Sequence, residues 1–170
     1  MNARSKPLRT GLVLAAGALL VLGIVALWQR PQIGQMLGLR EPATLRPADP
    51  QVLALGEKVY VTHCVACHGA RLEGQPNWRE RGADGRLPAP PHDASGHTWH
   101  HADALLVRIT KLGVARAAGL KDYNSAMPAY DGVLSDDEIV AVLSWIKSQW
   151  PLEVQAKHDQ VNAQARAAQR

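Results

Sequence analysis

Cysteine is scarce in this sequence and phenylalanine is absent: the 170 residues include only Cys64 and Cys67. These two cysteines leave no others for a disulfide framework, and a disulfide across so short a span would be strained. A structural zinc site would need two more ligands, and the histidines do not follow at a zinc-finger spacing. The sequence therefore favours neither a disulfide-stabilised fold nor a zinc finger.

A basic patch is also missing from the central region. The chain has a net charge of +4, but residues 50–150 contain ten Lys and Arg against eleven Asp and Glu. Such a balance does not suit nucleic acid as a partner. The sequence also shows no nucleophile–base pair and no glycine-rich phosphate loop. We therefore expect no nucleic-acid partner, no small-molecule substrate and no stand-alone enzyme.

The cysteines that are present belong to the stretch Cys-Val-Ala-Cys-His at residues 64–68. The pattern Cys-x-x-Cys-His is the attachment motif of a c-type haem. On a helix Cys64 and Cys67 project from one face, which suits two thioether bonds to one porphyrin, and His68 can ligate the iron. A thioredoxin-like pair would need a βαβ context, and no strong strand pattern is present. The motif predicts one covalent haem c per chain.

Residues 11–28 form an uncharged run of eighteen residues after Arg4, Lys6 and Arg9. As a helix this run would span roughly 27 Å, close to the thickness of a bilayer core. It predicts a transmembrane anchor after a cytoplasmic basic segment, residues 1–10. A cleaved signal sequence is the alternative, and both interpretations export residues 30–170. Residues 29–49 read as a Pro-rich tether, which places the haem domain on the periplasmic side of the cytoplasmic membrane.

Residues 50–150 have the pattern of a small all-α domain with three to five helices. Helices are predicted from an N-cap at Asp49-Pro50, over residues 103–112, and from a capping box at residues 135–138 to a stop before Pro151. Loops are predicted over 70–102 and 119–133. The polar Ala/Gln-rich tail, residues 151–170, is expected to be peripheral. The apolar residues expected to face inward are Val52, Leu53, Leu55, Val59, Tyr60, Leu72, Trp78, Leu105, Leu106, Ile109, Leu112, Ile139, Val142, Leu143 and Ile146.

Met127 is the one methionine within this domain, because Met1 and Met36 precede it. It lies in the second loop, and Pro128 stiffens the loop behind it. A methionine sulfur in the sixth position of a haem iron suits electron transfer. We interpret Met127 as the second axial ligand, although a methionine can also simply fill a gap in a core.

The segment 50–150 resembles the class I cytochromes c. The resemblance covers the first helix with Gly56 and Tyr60, the haem motif with Gly69, the loop Met127-Pro128-Ala129-Tyr130, and the last helix, Leu134 to Trp150, with Trp145. It implies that the first and last helices cross at Gly56 and Tyr60, opposite Trp145. It also implies a loop carbonyl that accepts a hydrogen bond from His68, which we expect within residues 87–91.

The loop at residues 92–101 departs from the family pattern because it contains His92, His97, His100 and His101 beside Trp99. One interpretation is a second metal site, since imidazole suits copper or zinc. Another is hydrogen bonding to the haem propionates by Trp99, His100 or Arg108. A third is an ordinary solvated loop.

These patterns together predict a membrane-tethered one-electron carrier whose haem iron is ligated by His68 and Met127. Its partners would be a redox donor, a redox acceptor and the membrane. The alternatives are a subunit of a larger respiratory complex, or a haem enzyme or sensor with an open sixth position. The other residues predicted to line the haem pocket are Tyr60, Gly69, Leu72, Trp99, Arg108, Pro128 and Tyr130.

Overall fold

A computed structural model describes residues 43–121 and 123–169 of the chain. The predicted anchor, residues 11–28, and most of the predicted tether lie outside the described residues. Within the described ranges, no helix is both long and apolar enough to cross a membrane. These described residues group into one compact unit.

The described residues form six α-helices and no named strand, so the prediction of an all-α domain is confirmed. Five of the six lie within residues 50–150, which agrees with the three to five helices expected there, and the sixth lies in the C-terminal segment. The helices are α1 (Pro50–His63), α2 (Val65–His68), α3 (Asp103–Leu112), α4 (Val114–Ala118), α5 (Asp136–Ser148) and α6 (Leu152–Ala167), with a 3₁₀ turn at Thr98–His100.

Helix α1 begins where the sequence predicts. The Asp49 side chain accepts hydrogen bonds from the backbone N–H groups of Gln51 and Val52, at 3.1 and 3.3 Å, and Pro50 takes the first helical position. Such a cap satisfies donors that have no partner inside the helix. Its buried residues are Val52, Gly56, Val59 and Tyr60. The expectation that Leu55 faces inward is wrong: it is 38% exposed, on the outer side of the helix.

Helices α1 and α5 cross at Gly56, as the family resemblance implies. A Cβ atom added to Gly56 would collide with the carbonyl oxygen of Ala141 and come within 2.8 Å of Trp145 Cβ. One turn further along α1, the Tyr60 ring lies against Trp145, with ring centroids 4.7 Å apart. Only glycine allows the two backbones to approach this closely.

Helix α5 supplies more buried apolar residues than any other described helix. Ser135 and Glu138 form the predicted capping box at its start, with the Ser135 side chain accepting from the Glu138 N–H. The helix ends at Ser148, before Pro151. The buried apolar residues that it supplies are Ile139, Ala141, Val142, Leu143 and Ile146.

Helix α3 has the predicted bounds and ends at Gly113, where φ is +81°. Leu106 faces the core as expected, whereas Leu105, Ile109 and Leu112 are half-buried. The short helix α4 was not predicted, because five residues hold too little periodicity to distinguish a helix from a loop. In the loop before α3, Leu72 is buried as predicted and Trp78 is half-buried.

The expectation that residues 151–170 are peripheral is wrong. Residues 152–167 form α6, which packs against the 3₁₀ turn, and its Val154, His158 and Asn162 are buried. These three side chains recur every four residues and so share one face of the helix. Two of the three are polar, so hydropathy did not reveal the buried face.

Candidate functional site

The two cysteines lie on one helical turn at the junction of α1 and α2. The Cys64 N–H donates to the Tyr60 carbonyl at 2.9 Å, and α2 then runs from Val65 to His68. Cys64 is half-buried and Cys67 is exposed, and both are free thiols. Burial, followed by the neighbouring Cys67, raises the pKa of the Cys64 thiol to about 11. Gly69, at a φ of +80°, ends the helix as predicted.

His68 is buried, with 6% of its surface exposed. Its Nδ1 lies 2.9 Å from the carbonyl oxygen of Pro90, so the prediction of an acceptor within residues 87–91 is confirmed. A carbonyl can only accept, so Nδ1 carries the proton and the lone pair lies on Nε2. Burial lowers the pKa of His68, and the hydrogen bond to Pro90 opposes that effect. The side chain is thereby prepared as a neutral ligand.

The loop that supplies Pro90 is folded back on the haem motif by backbone hydrogen bonds. The Gly74 N–H donates to the His68 carbonyl at 2.8 Å, and the Gln75 N–H donates to the Ala89 carbonyl at 2.8 Å. Gly74 has a φ of +67°, and an added Cβ would lie 2.5 Å from Pro91 N. Glycine at this position therefore lets the two sides of the loop meet, which brings Pro90 to His68.

Tyr60 joins α1 to the end of the haem motif. Its hydroxyl donates to the Gly69 carbonyl at 2.7 Å, and its ring is almost fully buried against α5. Burial is the main cause that raises the pKa of Tyr60, so the hydroxyl keeps its proton and remains a donor. The structure thus brings together Tyr60, Gly69 and His68, as the predicted pocket requires.

The loop that carries Met127 is tied to both the haem motif and α3. The Tyr130 hydroxyl donates to the carbonyl of His63, the residue before Cys64, at 2.8 Å. The Tyr130 N–H donates to the Thr110 carbonyl at 3.1 Å. Met127 is half-buried, and its N–H donates to the Ser125 hydroxyl at 3.1 Å, whereas Pro128 is exposed. Two of the predicted pocket residues, Tyr130 and Met127, therefore lie in a loop that is anchored beside the motif.

Two of the donors proposed for the haem propionates already have partners within the protein. The Arg108 guanidinium donates to the Ala117 carbonyl at 3.0 Å, which joins α3 to α4. The Trp99 indole donates to the Ala94 carbonyl at 3.3 Å, and its ring stacks on His100 at 3.6 Å between centroids. These contacts stabilise the local structure and do not favour a propionate role for Arg108 or Trp99.

The side chains of the histidine-rich loop contact other aromatic rings. The rings of His97 and His101 meet edge to face, 5.3 Å apart. Across residues 43–121 and 123–169, no group of three or more His, Cys, Asp or Glu side chains could hold a metal ion. Stacking between rings, such as that of His97 on Trp78 at 5.3 Å, occupies these histidines instead.

Sequence reasoning considered His92 as a metal ligand or as part of a solvated loop, and so missed its position beside His68. The two rings stack with centroids 3.9 Å apart and planes 21° from parallel. Burial, followed by the neighbouring His68 and His97, holds the pKa of His92 well below its usual value. The only feature of the sequence that could have indicated this position is that His92 directly follows Pro90 and Pro91.

The family model for cytochrome c matches residues 53–150, more than half of the chain. The chain belongs to the cytochrome c family. No curated protein and no solved structure matches it. The family implies a covalently bound haem c, a role in electron transfer and redox proteins as partners. Helix α6 lies beyond the matched region of this cytochrome c.

The residues of the motif fit a haem c. Cys64 and Cys67 are free thiols on one turn, so both can form thioether bonds to the same porphyrin. The Nε2 lone pair of neutral His68 is available for iron. The raised pKa of Cys64 keeps that thiol protonated near neutral pH before attachment.

Proposed function

We propose that this cytochrome c is a one-electron carrier and not an enzyme, with His68 and Met127 as the axial ligands of its haem iron. The observation that carries the proposal is the hydrogen bond from Tyr130 to the His63 carbonyl at 2.8 Å. It ties the loop of the chain's one intradomain methionine to the residue that precedes the haem motif. A methionine in the sixth position leaves no open site for a substrate and raises the potential.

When bound, haem c supplies a reversible Fe(III)/Fe(II) couple. The protein's own residues hold and shield that group. Cys64 and Cys67 attach it, and Pro90 fixes the tautomer of His68 through the Nδ1 hydrogen bond. The buried side chains of Leu72, Leu106 and Tyr60 keep water from the interior beside the motif.

A Met127→Ala variant tests the axial ligation. The ferric holoprotein should lose the near-infrared absorption band of methionine-to-iron ligation and should bind cyanide readily. The ferrous holoprotein should bind carbon monoxide readily, whereas the native protein should bind neither ligand readily. Met36→Ala is the matched control, because Met36 lies in the predicted tether, and it should leave the spectrum unchanged. Persistence of the band in Met127→Ala, or ready ligand binding by the native protein, would contradict the proposal and favour a haem enzyme or sensor.

We further propose that residues 11–28 anchor the protein in the cytoplasmic membrane, with the haem domain on the periplasmic side. The support is an uncharged run of eighteen residues behind a basic segment. The full chain should stay with membranes after alkaline carbonate extraction, and its intact mass should include residues 1–28. Replacing residues 1–28 with a cleavable secretion signal should release soluble holoprotein. A mass that lacks these residues in the native protein would show instead that the segment is a signal sequence.

A further inference from the structure

His92 is held against the face of His68 by three hydrogen bonds. Its ring Nδ1 lies 2.8 Å from the Thr98 hydroxyl, and its N–H donates to the Leu72 carbonyl at 2.7 Å. Its carbonyl accepts from the Trp150 indole at 2.7 Å. Thr98, Leu72 and Trp150 are all buried. The His92 ring therefore cannot turn away from His68 without breaking contacts inside the protein.

The hydrogen bond to Pro90 does not by itself fix the plane of the His68 ring. The imidazole turns about its Cβ–Cγ bond, and the Nδ1 hydrogen bond opposes that rotation. A hydrogen bond tolerates angular deviations of tens of degrees, so the ring plane keeps part of this freedom. A flat partner stacked 3.9 Å from its face, 21° from parallel, removes this freedom.

We infer that His92 is a positioning residue, which fixes the plane of the His68 imidazole while Pro90 fixes its direction. The inference rests on the proposed role of His68 as an axial ligand. It deepens that role, because the orientation of an axial imidazole influences the electronic state of the iron that it ligates.

The contacts that hold His92 also involve α6, which lies beyond the residues that the family model matches. Thr98 belongs to the 3₁₀ turn that packs against α6, and the Lys157 ammonium of α6 lies 5.9 Å from the Trp99 ring. The His158 ring of α6 packs edge-on against Trp150, with centroids 5.2 Å apart. Helix α6 thus supports both Thr98 and Trp150, the two side chains that hold His92.

Three variants of the full-length holoprotein test the inference. His92→Ala removes the ring, His92→Phe keeps a flat ring without its hydrogen bond, and Thr98→Val removes the hydroxyl that His92 contacts while keeping the side-chain volume. Ser95→Ala is the matched control, because Ser95 is exposed in the same loop and its hydroxyl donates to the Asp93 carboxylate. The readouts are the haem-methyl proton shifts in paramagnetic NMR, the low-spin EPR signal of the ferric protein, and the reduction potential.

His92→Ala should change the spread of the four haem-methyl shifts, broaden the EPR signal and shift the potential. Thr98→Val should change the methyl shifts in the same sense by a smaller amount. His92→Phe should change the methyl shifts by a similarly small amount, because it keeps the flat ring but loses the same hydrogen bond to Thr98. Ser95→Ala should keep the native pattern. Native methyl shifts in both His92→Ala and Thr98→Val would overturn the inference. If His92→Ala does not form holoprotein, native shifts in Thr98→Val alone would overturn it.

Failure of the proposed Met127 ligation would look different. It would appear as a missing near-infrared band in the native protein, and the methyl shifts would still respond to His92→Ala. The two hypotheses can therefore be rejected separately.

Discussion

Helices α1 and α5 are held together by backbone contact and apolar side chains, whereas α6 is held by buried polar groups. At the first contact Gly56 meets the Ala141 carbonyl, and Tyr60 meets Trp145. The closeness of the backbones makes this contact sensitive to added volume. Few hydrogen bonds are needed there, because both helices satisfy their own backbone groups.

The second contact depends on Asp103, Asn162 and His158, which are nearly inaccessible to solvent. The Asp103 carboxylate accepts from the Leu45 N–H at 2.9 Å and from the Asn162 amide at 3.0 Å, and Asn162 accepts from the Asp103 N–H at 2.8 Å. His158 Nε2 donates to the His101 carbonyl at 2.9 Å. Removing a further partner from this contact is costly, because another polar group would be left buried without a hydrogen bond, as His158 Nδ1 already is.

Asp103→Ala should have the largest effect on stability, because it leaves the Leu45 N–H and the Asn162 amide buried without their acceptor. We expect a loss of about 3 kcal/mol in the free energy of unfolding, measured by denaturant titration of the holoprotein. Asp137→Ala, at an exposed position in the first turn of α5, is the control and should cost less than about 1 kcal/mol. Similar losses at both positions would mean that the buried network adds little.

Gly56→Ala should be the next most damaging, although alanine is the better helix former by about 1 kcal/mol. The added methyl collides with the Ala141 backbone, so the helices must separate, and we expect a net loss of about 2 kcal/mol by the same titration. Gly82→Ala is the control, since its Cβ would lie 3.2 Å from the Asp84 carboxylate and at ordinary contact distance, 3.7 Å, from the Arg86 carbonyl. A neutral or stabilising Gly56→Ala would show that the crossing can relax.

The polar contact should also weaken in mild acid, whereas the α1–α5 crossing should not. Burial is the main cause that lowers the pKa of His158, followed by Lys147, and Asp103 opposes the shift. The unfolded chain therefore binds a proton below pH 6.5 that the folded protein does not, so the stability due to His158 is lost as the pH falls from there toward the folded pKa.

The comparison of native protein with His158→Gln isolates this effect, because the other titrating groups are shared. Between pH 6.5 and pH 5, the free energy of unfolding of the native protein should fall more steeply than that of the variant. Equal pH dependence in the two proteins would show that His158 does not couple α6 to protonation.

Ser135→Ala should have the smallest effect on the free energy of unfolding, because it removes a hydrogen bond that is exposed to water. Its hydroxyl accepts from the Glu138 N–H at 3.2 Å at the start of α5. We expect a loss of about 1 kcal/mol, less than at Asp103, since water can replace an exposed partner. Loss of stability equal to that of Asp103→Ala would contradict the distinction between buried and exposed hydrogen bonds.

Local patterns in the sequence were enough to predict the haem motif, the N-cap at Asp49, the capping box at Ser135 and the bounds of α3. Each depends on residues within a few positions of one another, so each could be identified without the fold. The helix crossing at Gly56 and a carbonyl acceptor for His68 within residues 87–91 were predicted from the family resemblance, which spans the matched domain.

The tertiary structure alone decided the burial of α6 and the stacking of His92 on His68. Asp103 and Asn162 are 59 positions apart, and Trp150 and His92 are 58 apart. From the sequence alone, such polar side chains are predicted to face solvent. A hydropathy pattern depends on neighbouring residues, whereas the partner in a hydrogen bond can lie far away along the chain. The sequence determined what this domain binds, and the fold determined which distant side chains hold the binding histidine in place.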